Sequence, residues 1–159
     1  MHPVRPTNNI GYLLQHVSSL LAKQSEQVLQ ERLGIGFSQF KILRALQANP
    51  HVKQRQIASN LGQTEASVSR QVKLMVDDGL LVSRISPKSR REHIMVPTTK
   101  GTKLTEAALD ALARYHAPTF DVLTEKQRGQ LREILETLHT QICPADHPNP
   151  VNIVHPQKF

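Results

Sequence analysis

The stretch Gln54-Arg55-Gln56-Ile57-Ala58-Ser59-Asn60-Leu61-Gly62-Gln63-Thr64-Glu65-Ala66-Ser67-Val68-Ser69-Arg70 decides the fold. Two short helices that cross closely need a small residue in the first, and Ala58 supplies it. A sharp turn between them calls for a left-handed backbone, which Gly62 adopts at little cost. The second helix needs inward apolar anchors, and Val68, Val72 and Met75 recur at i, i+4 and i+7. Ile57 and Leu61 meet them from the first helix. These requirements agree in spacing, and together they describe a helix-turn-helix.

With Val68, Val72 and Met75 turned inward, a step of ~100° per residue turns Ala66, Arg70 and Lys73 outward. Ser67 and Ser69 flank that face, and Gln63 stands at the turn. A small, hydroxyl-bearing and basic surface of this kind fits a major groove about 12 Å wide. Arg70 is the first candidate for reading a base edge, because a guanidinium grips guanine with two hydrogen bonds.

The same periodicities extend in both directions. Ile10, Leu13, Leu14, Val17, Leu20, Leu21, Val28, Leu29 and Leu33 mark a long amphipathic helix over 9–33, ended by Gly34 and Gly36. Ser38 reads as the N-cap of a second helix that stops before Asn49-Pro50. Helices over 53–61 and 64–78 form the motif itself. Two short strands are then expected at 80–85 and 92–96, where the apolar period drops to two. Residues 86–91 between them form a basic hairpin tip holding Lys88, Arg90 and Arg91. Helical spacing returns from Lys100 and is expected to stop at Pro118, and Thr124-Glu125-Lys126-Gln127 has the form of a capping box opening the last helix. The fold class is therefore mainly α with a small β-hairpin wing. One domain is expected over 1–143, with a winged helix-turn-helix lobe at 35–99 and dimerisation helices at 9–33 and 100–142. Residues 144–159, with four prolines, are expected to form an extended or disordered tail.

Composition narrows the function classes. The chain has 159 residues, and Lys and Arg outnumber Asp and Glu by 20 to 13, giving a formal charge of +7. Such an excess points to a polyanionic partner. No apolar run approaches the ~20 residues of a membrane span, and 1–9 lacks the layout of a signal peptide. We therefore expect no membrane association and a cytoplasmic location. The single cysteine, Cys143, excludes an intramolecular disulfide framework, and the eight histidines lack metal-ligand spacing. No nucleophile is paired with a base at recognisable spacing, so neither an enzyme, a metal nor a cofactor is expected.

The chain resembles the MarR family of winged helix-turn-helix transcriptional regulators from Ile10 to about Ile142. The most specific portion is Gly79-Leu80-Leu81-Val82-Ser83-Arg84, then Arg90-Arg91, then Thr98-Thr99-Lys100-Gly101. The resemblance implies a homodimer that binds double-stranded DNA at a pseudo-palindromic site, most commonly as a repressor. The candidate DNA contacts are Ser38, Arg55, Gln63, Thr64, Ala66, Ser67, Ser69, Arg70, Lys73, Arg84, Lys88, Arg90 and Arg91. In the family an Asp-x-Arg element braces the wing tip. Arg91 matches its Arg, whereas Ser89 stands where the Asp is expected and the loop is one residue short. Pro97 replaces a usual apolar residue and is expected to end the second strand early.

The resemblance also implies a small aromatic or anionic effector. Tyr12, His16, Phe40, Tyr115 and His116 are the candidates to line its pocket. The competing reading is a winged helix repurposed for protein or RNA contact. RNA recognition usually needs exposed aromatics for stacking, and the chain has only four Phe, two Tyr and no Trp.

Overall fold

The computed structural model describes residues 9–142. Cys143 and the tail at 144–159 lie outside the described residues. Six helices and one antiparallel hairpin follow in the order α1 (Ile10–Leu33), α2 (Phe37–Ala48), α3 (Gln54–Leu61), α4 (Glu65–Asp77), β1 (Leu81–Ser86), β2 (Ser89–Pro97), α5 (Thr99–Asp121) and α6 (Glu125–Ile142). No helix among the described residues is long and apolar enough to cross a membrane.

Glycines set the breaks in the helix-turn-helix lobe. Gly62 takes φ 63° after α3, and Gly79 takes φ 72° after α4. In both places the backbone closes in the same pattern. Gln63 N–H donates to Ala58 O and Gly62 N–H to Ser59 O; Leu80 N–H donates to Met75 O and Gly79 N–H to Val76 O. Each pair satisfies carbonyls that a helix end leaves without partners. At the start of α4, Thr64 Oγ1 accepts from Ser67 N–H at 3.1 Å, the usual work of an N-cap.

Two apolar clusters share α2. Ile42, Leu43 and Leu46 pack on Ile57, Ala58, Val68, Val72, Met75, Leu80 and Leu81, which closes the helix-turn-helix. Phe40 joins Leu29 of α1, Ile35, and Ala108 and Leu112 of α5. Full burial of one such aliphatic side chain stabilises by ~1.5–3 kcal/mol, so α2 is held between the long helices and the lobe. The junction to α5 is also tight. Thr98 N–H donates to Leu80 O at 3.0 Å, and Thr98 Oγ1 donates to Gly79 O at 2.6 Å.

Four boundary expectations need correction. Helix α2 starts at Phe37 with Gly36 as its cap, not at Ser38. Side chains from elsewhere satisfy its first donors: Gln39 Oε1 accepts from Gly36 N–H at 3.1 Å, and Glu26 Oε2 from Phe37 N–H at 2.6 Å. The hairpin is longer than expected, because β2 begins at Ser89 and takes Arg90 and Arg91 out of the loop. Pro97 stays in the ladder opposite Leu81. The next ladder bond comes from Thr98 N–H, so the proline's missing donor costs nothing there. Helix α5 passes through Pro118 to Asp121. Pro118 and Arg114 are both exposed, so water can solvate the carbonyl the proline leaves unbonded. The Thr124 and Gln127 side chains do cap α6: Thr124 N–H donates to Gln127 Oε1 at 2.9 Å, and Gln127 N–H to Thr124 Oγ1 at 3.3 Å.

Candidate nucleic-acid interface

Helix α4 divides cleanly into two faces. Val68, Val72 and Met75 are buried, while Ala66, Ser69, Arg70 and Lys73 are exposed. Thr64 and Arg55 are exposed as well, and so are Arg84, Lys88, Arg90 and Arg91 of the hairpin. None of these cations takes part in an ion pair among the described residues. Their charge is therefore directed to solvent rather than neutralised inside the chain. Because long-range potential falls off within ~10 Å at 0.1 M salt, an unpaired surface set of this kind acts on a partner at close approach.

Three of the sequence candidates are brought into one hydrogen-bond chain. Gln63 Nε2 donates to Ser38 Oγ at 2.7 Å. Gln71 Nε2 donates to Gln63 Oε1 at 2.9 Å and approaches Ser67 Oγ at 3.4 Å. Ser38, Gln63 and Ser67 are half-buried, so they brace the turn and the first turn of α4 against α2 as much as they face outward. Gln71 was missed by sequence reasoning. Its signal was the i, i+4 spacing from Ser67, which puts both on one side of the helix.

The hairpin carries the remaining candidates to different heights. Pro87 and Lys88 form the turn, with Ser86 Oγ accepting from Lys88 N–H at 3.1 Å. Ser89, which occupies the place of the expected Asp, accepts from Arg91 N–H at 3.4 Å. Ile94 is buried lower down and anchors the base. Arg84 lies toward that base and shares a shallow groove with Thr98, Thr99, Thr102 and Lys103 at the start of α5. Between tip and base, Lys53 Nζ lies 2.6 Å from Glu92 Oε1. That hydrogen bond is the main reason the Glu92 carboxyl is held below its usual range.

The candidate effector residues fall in three places within one chain. Tyr12 and His16 stack on each other, 6.0 Å between centroids, on the exposed start of α1. Phe40 is buried between α1, α2 and α5. Tyr115 meets His116 edge-on at 5.2 Å, and His116 is buried against α1, its Nε2 3.0 Å from Ser25 Oγ. Burial lowers the His116 pKa from the usual histidine value, because it disfavours the charged ring. None of the five lines the concavity beside Lys53 and Glu92 or the groove beside Arg84.

Residues 33–92, the span from the end of α1 to the middle of β2, match the sequence model of the MarR family. The chain is 25% identical over 129 residues to the HTH-type transcriptional repressor Rv2887 of Mycobacterium tuberculosis, covering 81% of this chain and 92% of that protein. It is 26% identical over 112 residues to the HTH-type transcriptional regulator BilQ of Clostridium symbiosum, covering 70% and 76%. The crystal structure of Rv2887 in complex with salicylic acid superposes with a TM-score of 0.71 at 25% identity, covering 81% of this chain and 95% of that one. This chain matches the MarR family in its winged helix-turn-helix lobe. Its fold is also that of CouR from Rhodococcus jostii RHA1, solved with p-coumaroyl-CoA: TM-score 0.71, 23% identity, 89% of this chain and 97% of that one. The matched span contains α4, the wing tip and every candidate DNA contact.

Proposed function

We propose that the chain is a sequence-specific, double-stranded DNA-binding transcriptional regulator that acts as a homodimer on a pseudo-palindromic operator. The observation that carries this reading is the two-sided α4. One side is locked by Val68, Val72 and Met75; the other offers Ser69, Arg70 and Lys73, unpaired, beside a wing bearing Lys88, Arg90 and Arg91. Arg70 reads a base edge, Ser67 and Ser69 hydrogen-bond base or phosphate oxygens, and the wing cations follow the phosphates into the minor groove. Ser38, Gln63, Thr64 and Ala66 set the approach of the turn, and Arg55 and Arg84 add phosphate contacts. The similarity to Rv2887, an HTH-type transcriptional repressor, and BilQ, an HTH-type transcriptional regulator, supports this reading.

The second copy covers the long helices. None of α6 is buried in the single chain, and Leu131, Ile134, Leu135, Leu138 and Ile142 are exposed with Ile10, Leu13, Leu14 and Val17 of α1. At ~25 cal/mol per Å², burying such surface on a like partner drives association. A two-fold dimer then spaces its half-sites by about one helical turn, ~10 bp. The regulator is a cytoplasmic repressor without enzymatic activity, built as one domain over 1–143 and released by a small aromatic or anionic effector. Tyr12, His16, Phe40, Tyr115 and His116 are the residues we assign to effector binding, with the Tyr12–His16 stack presented on the face offered to the second copy. The crystal structures of Rv2887 with salicylic acid and of CouR with p-coumaroyl-CoA support the effector class.

Affinity for a selected operator, measured for the wild type, Arg70→Ala and Arg91→Ala, tests the reading. Arg70→Ala should lose ~1–3 kcal/mol and relax base preference at one position. Arg91→Ala should weaken operator binding without relaxing preference at any single base position. Unchanged binding by both variants would refute it.

A further inference from the structure

Glu92 is the one carboxylate between Asp78 and Glu106, and it follows directly after Arg90 and Arg91. Its position along β2 marks a boundary. Ile94, two residues on, is buried in the base of the hairpin; Arg91, one residue back, is exposed; Glu92 itself is half-buried. A two-stranded hairpin has little stability of its own, so the angle of its distal half depends on the last point at which it is held.

That point is tied to a rigid anchor. Glu92 Oε1 accepts from Lys53 Nζ at 2.6 Å, and Oε2 lies 3.7 Å from His51 Nδ1. Lys53 immediately precedes α3, and its own N–H donates to Gln56 Oε1 at 3.0 Å. The loop behind it is pinned too. His51 N–H donates to Asn49 Oδ1 at 3.0 Å, and Val52 N–H to Asn49 O at 3.1 Å. One ion pair thus joins the wing to the start of the helix-turn-helix, 39 residues away in sequence.

We propose that Glu92 is a positioning residue for DNA reading: a strut that, through Lys53, fixes where the wing cations stand relative to α4. The proposal rests on the function proposed above. An exposed ion pair adds little to stability, so fold stability is not what the strut provides. Its effect falls on discrimination. With the strut cut, Lys88, Arg90 and Arg91 still attract any duplex, but their register with Arg70 is lost. Removing the one wing carboxylate also raises attraction to phosphates in general.

The test uses the full-length chain, an operator duplex selected from random DNA, and a scrambled duplex of equal length. Glu92→Gln and Lys53→Gln should each lower the ratio of operator to scrambled affinity about fivefold, ~1 kcal/mol. Thermal midpoints should stay near the wild type. Lys53→Glu combined with Glu92→Lys, which restores the pair with its charges exchanged, should recover most of the ratio. A ratio unchanged in Glu92→Gln, or a charge exchange no better than the single variants, overturns the proposal. A second arm needs no DNA: Arg90, Arg91 and Glu92 have no partner in the strand ladder, so their backbone order parameters should fall in Glu92→Gln, and unchanged order parameters there overturn the strut itself. If the wild type prefers no duplex while those order parameters fall as expected, the operator reading and the strut's role in it fall, and the mechanical tie remains.

Discussion

Replacing Gly101 with Ala builds a methyl group 2.1 Å from the carbonyl oxygen of Leu80 and 3.1 Å from its carbonyl carbon, where ordinary contact begins at 3.4 Å. Both partners are backbone, and neither can step aside. Gly101 lies in the first turn of α5, whose cap Thr98 accepts from Gly101 N–H at 3.1 Å. The same turn is bolted to the end of α4 by Thr98 N–H to Leu80 O, Thr98 Oγ1 to Gly79 O and Lys100 Nζ to Asp78 O. Relief requires moving α5 away from Leu80 and stretching those bonds. Overpacking of this kind costs ~1–3 kcal/mol, and each weakened hydrogen bond adds ~0.5–1.5 kcal/mol. The better helix propensity of alanine returns up to ~1 kcal/mol. The net destabilisation is about 2–3 kcal/mol, a fall of roughly 4–12 °C in thermal midpoint for a chain of this size. Circular dichroism melts at one fixed protomer concentration measure it, since the dimer proposed above would make the midpoint concentration-dependent. Gly129→Ala is the control. A Cβ there meets nothing within 4 Å, so helix propensity alone acts and the variant should match or exceed the wild type. A Gly101→Ala midpoint equal to the wild type would refute the reasoning.

Three further outcomes are expected. Leu135→Glu, on the exposed stripe of α6, should shift equilibrium sedimentation toward monomer at micromolar concentration, and a dimer of undiminished strength would remove α6 from the interface. Lys88→Ala and Arg90→Ala should each flatten the log–log dependence of operator affinity on salt by ~0.9; parallel lines would mean that neither side chain meets a phosphate. Burial lowers the His116 pKa in the folded chain, so the unfolded chain binds more protons below its own value of about 6.5. Stability should therefore be lost as pH falls from about 6.5 toward the lower folded value, and stay indifferent to this group above 6.5. His116→Phe should flatten that part of the stability curve, and an identical slope in wild type and variant would show that His116 is not the group responsible.

The helix-turn-helix was legible because its constraints are local. Ala58, Gly62 and the Val68–Val72–Met75 series act within a single turn or helix, and the structure uses each as the spacing demands. The misplaced boundaries share another cause. Ser38 lost the N-cap because Glu26, eleven residues before Phe37, takes the first donor of α2. Pro97 and Pro118 break elements only when their missing donor is needed, and their surroundings show that it is not. Gly101 looked like one residue of a family signature, yet its reason is a backbone contact with Leu80 across the fold. Likewise the Glu92–Lys53 pair and the Ser38–Gln63–Gln71 chain join residues that no periodicity connects. The candidate contacts on α4 could be listed from sequence, but what holds them in register could not.

Selection of bound fragments from random duplex DNA, repeated at two salt concentrations, tests the central claim most directly. The expected product is a two-fold symmetric sequence with half-sites ~10 bp apart, recovered less tightly at the higher salt, with one base position in each half-site relaxed when Arg70→Ala replaces the wild type. Failure to enrich any sequence at the lower salt would contradict it.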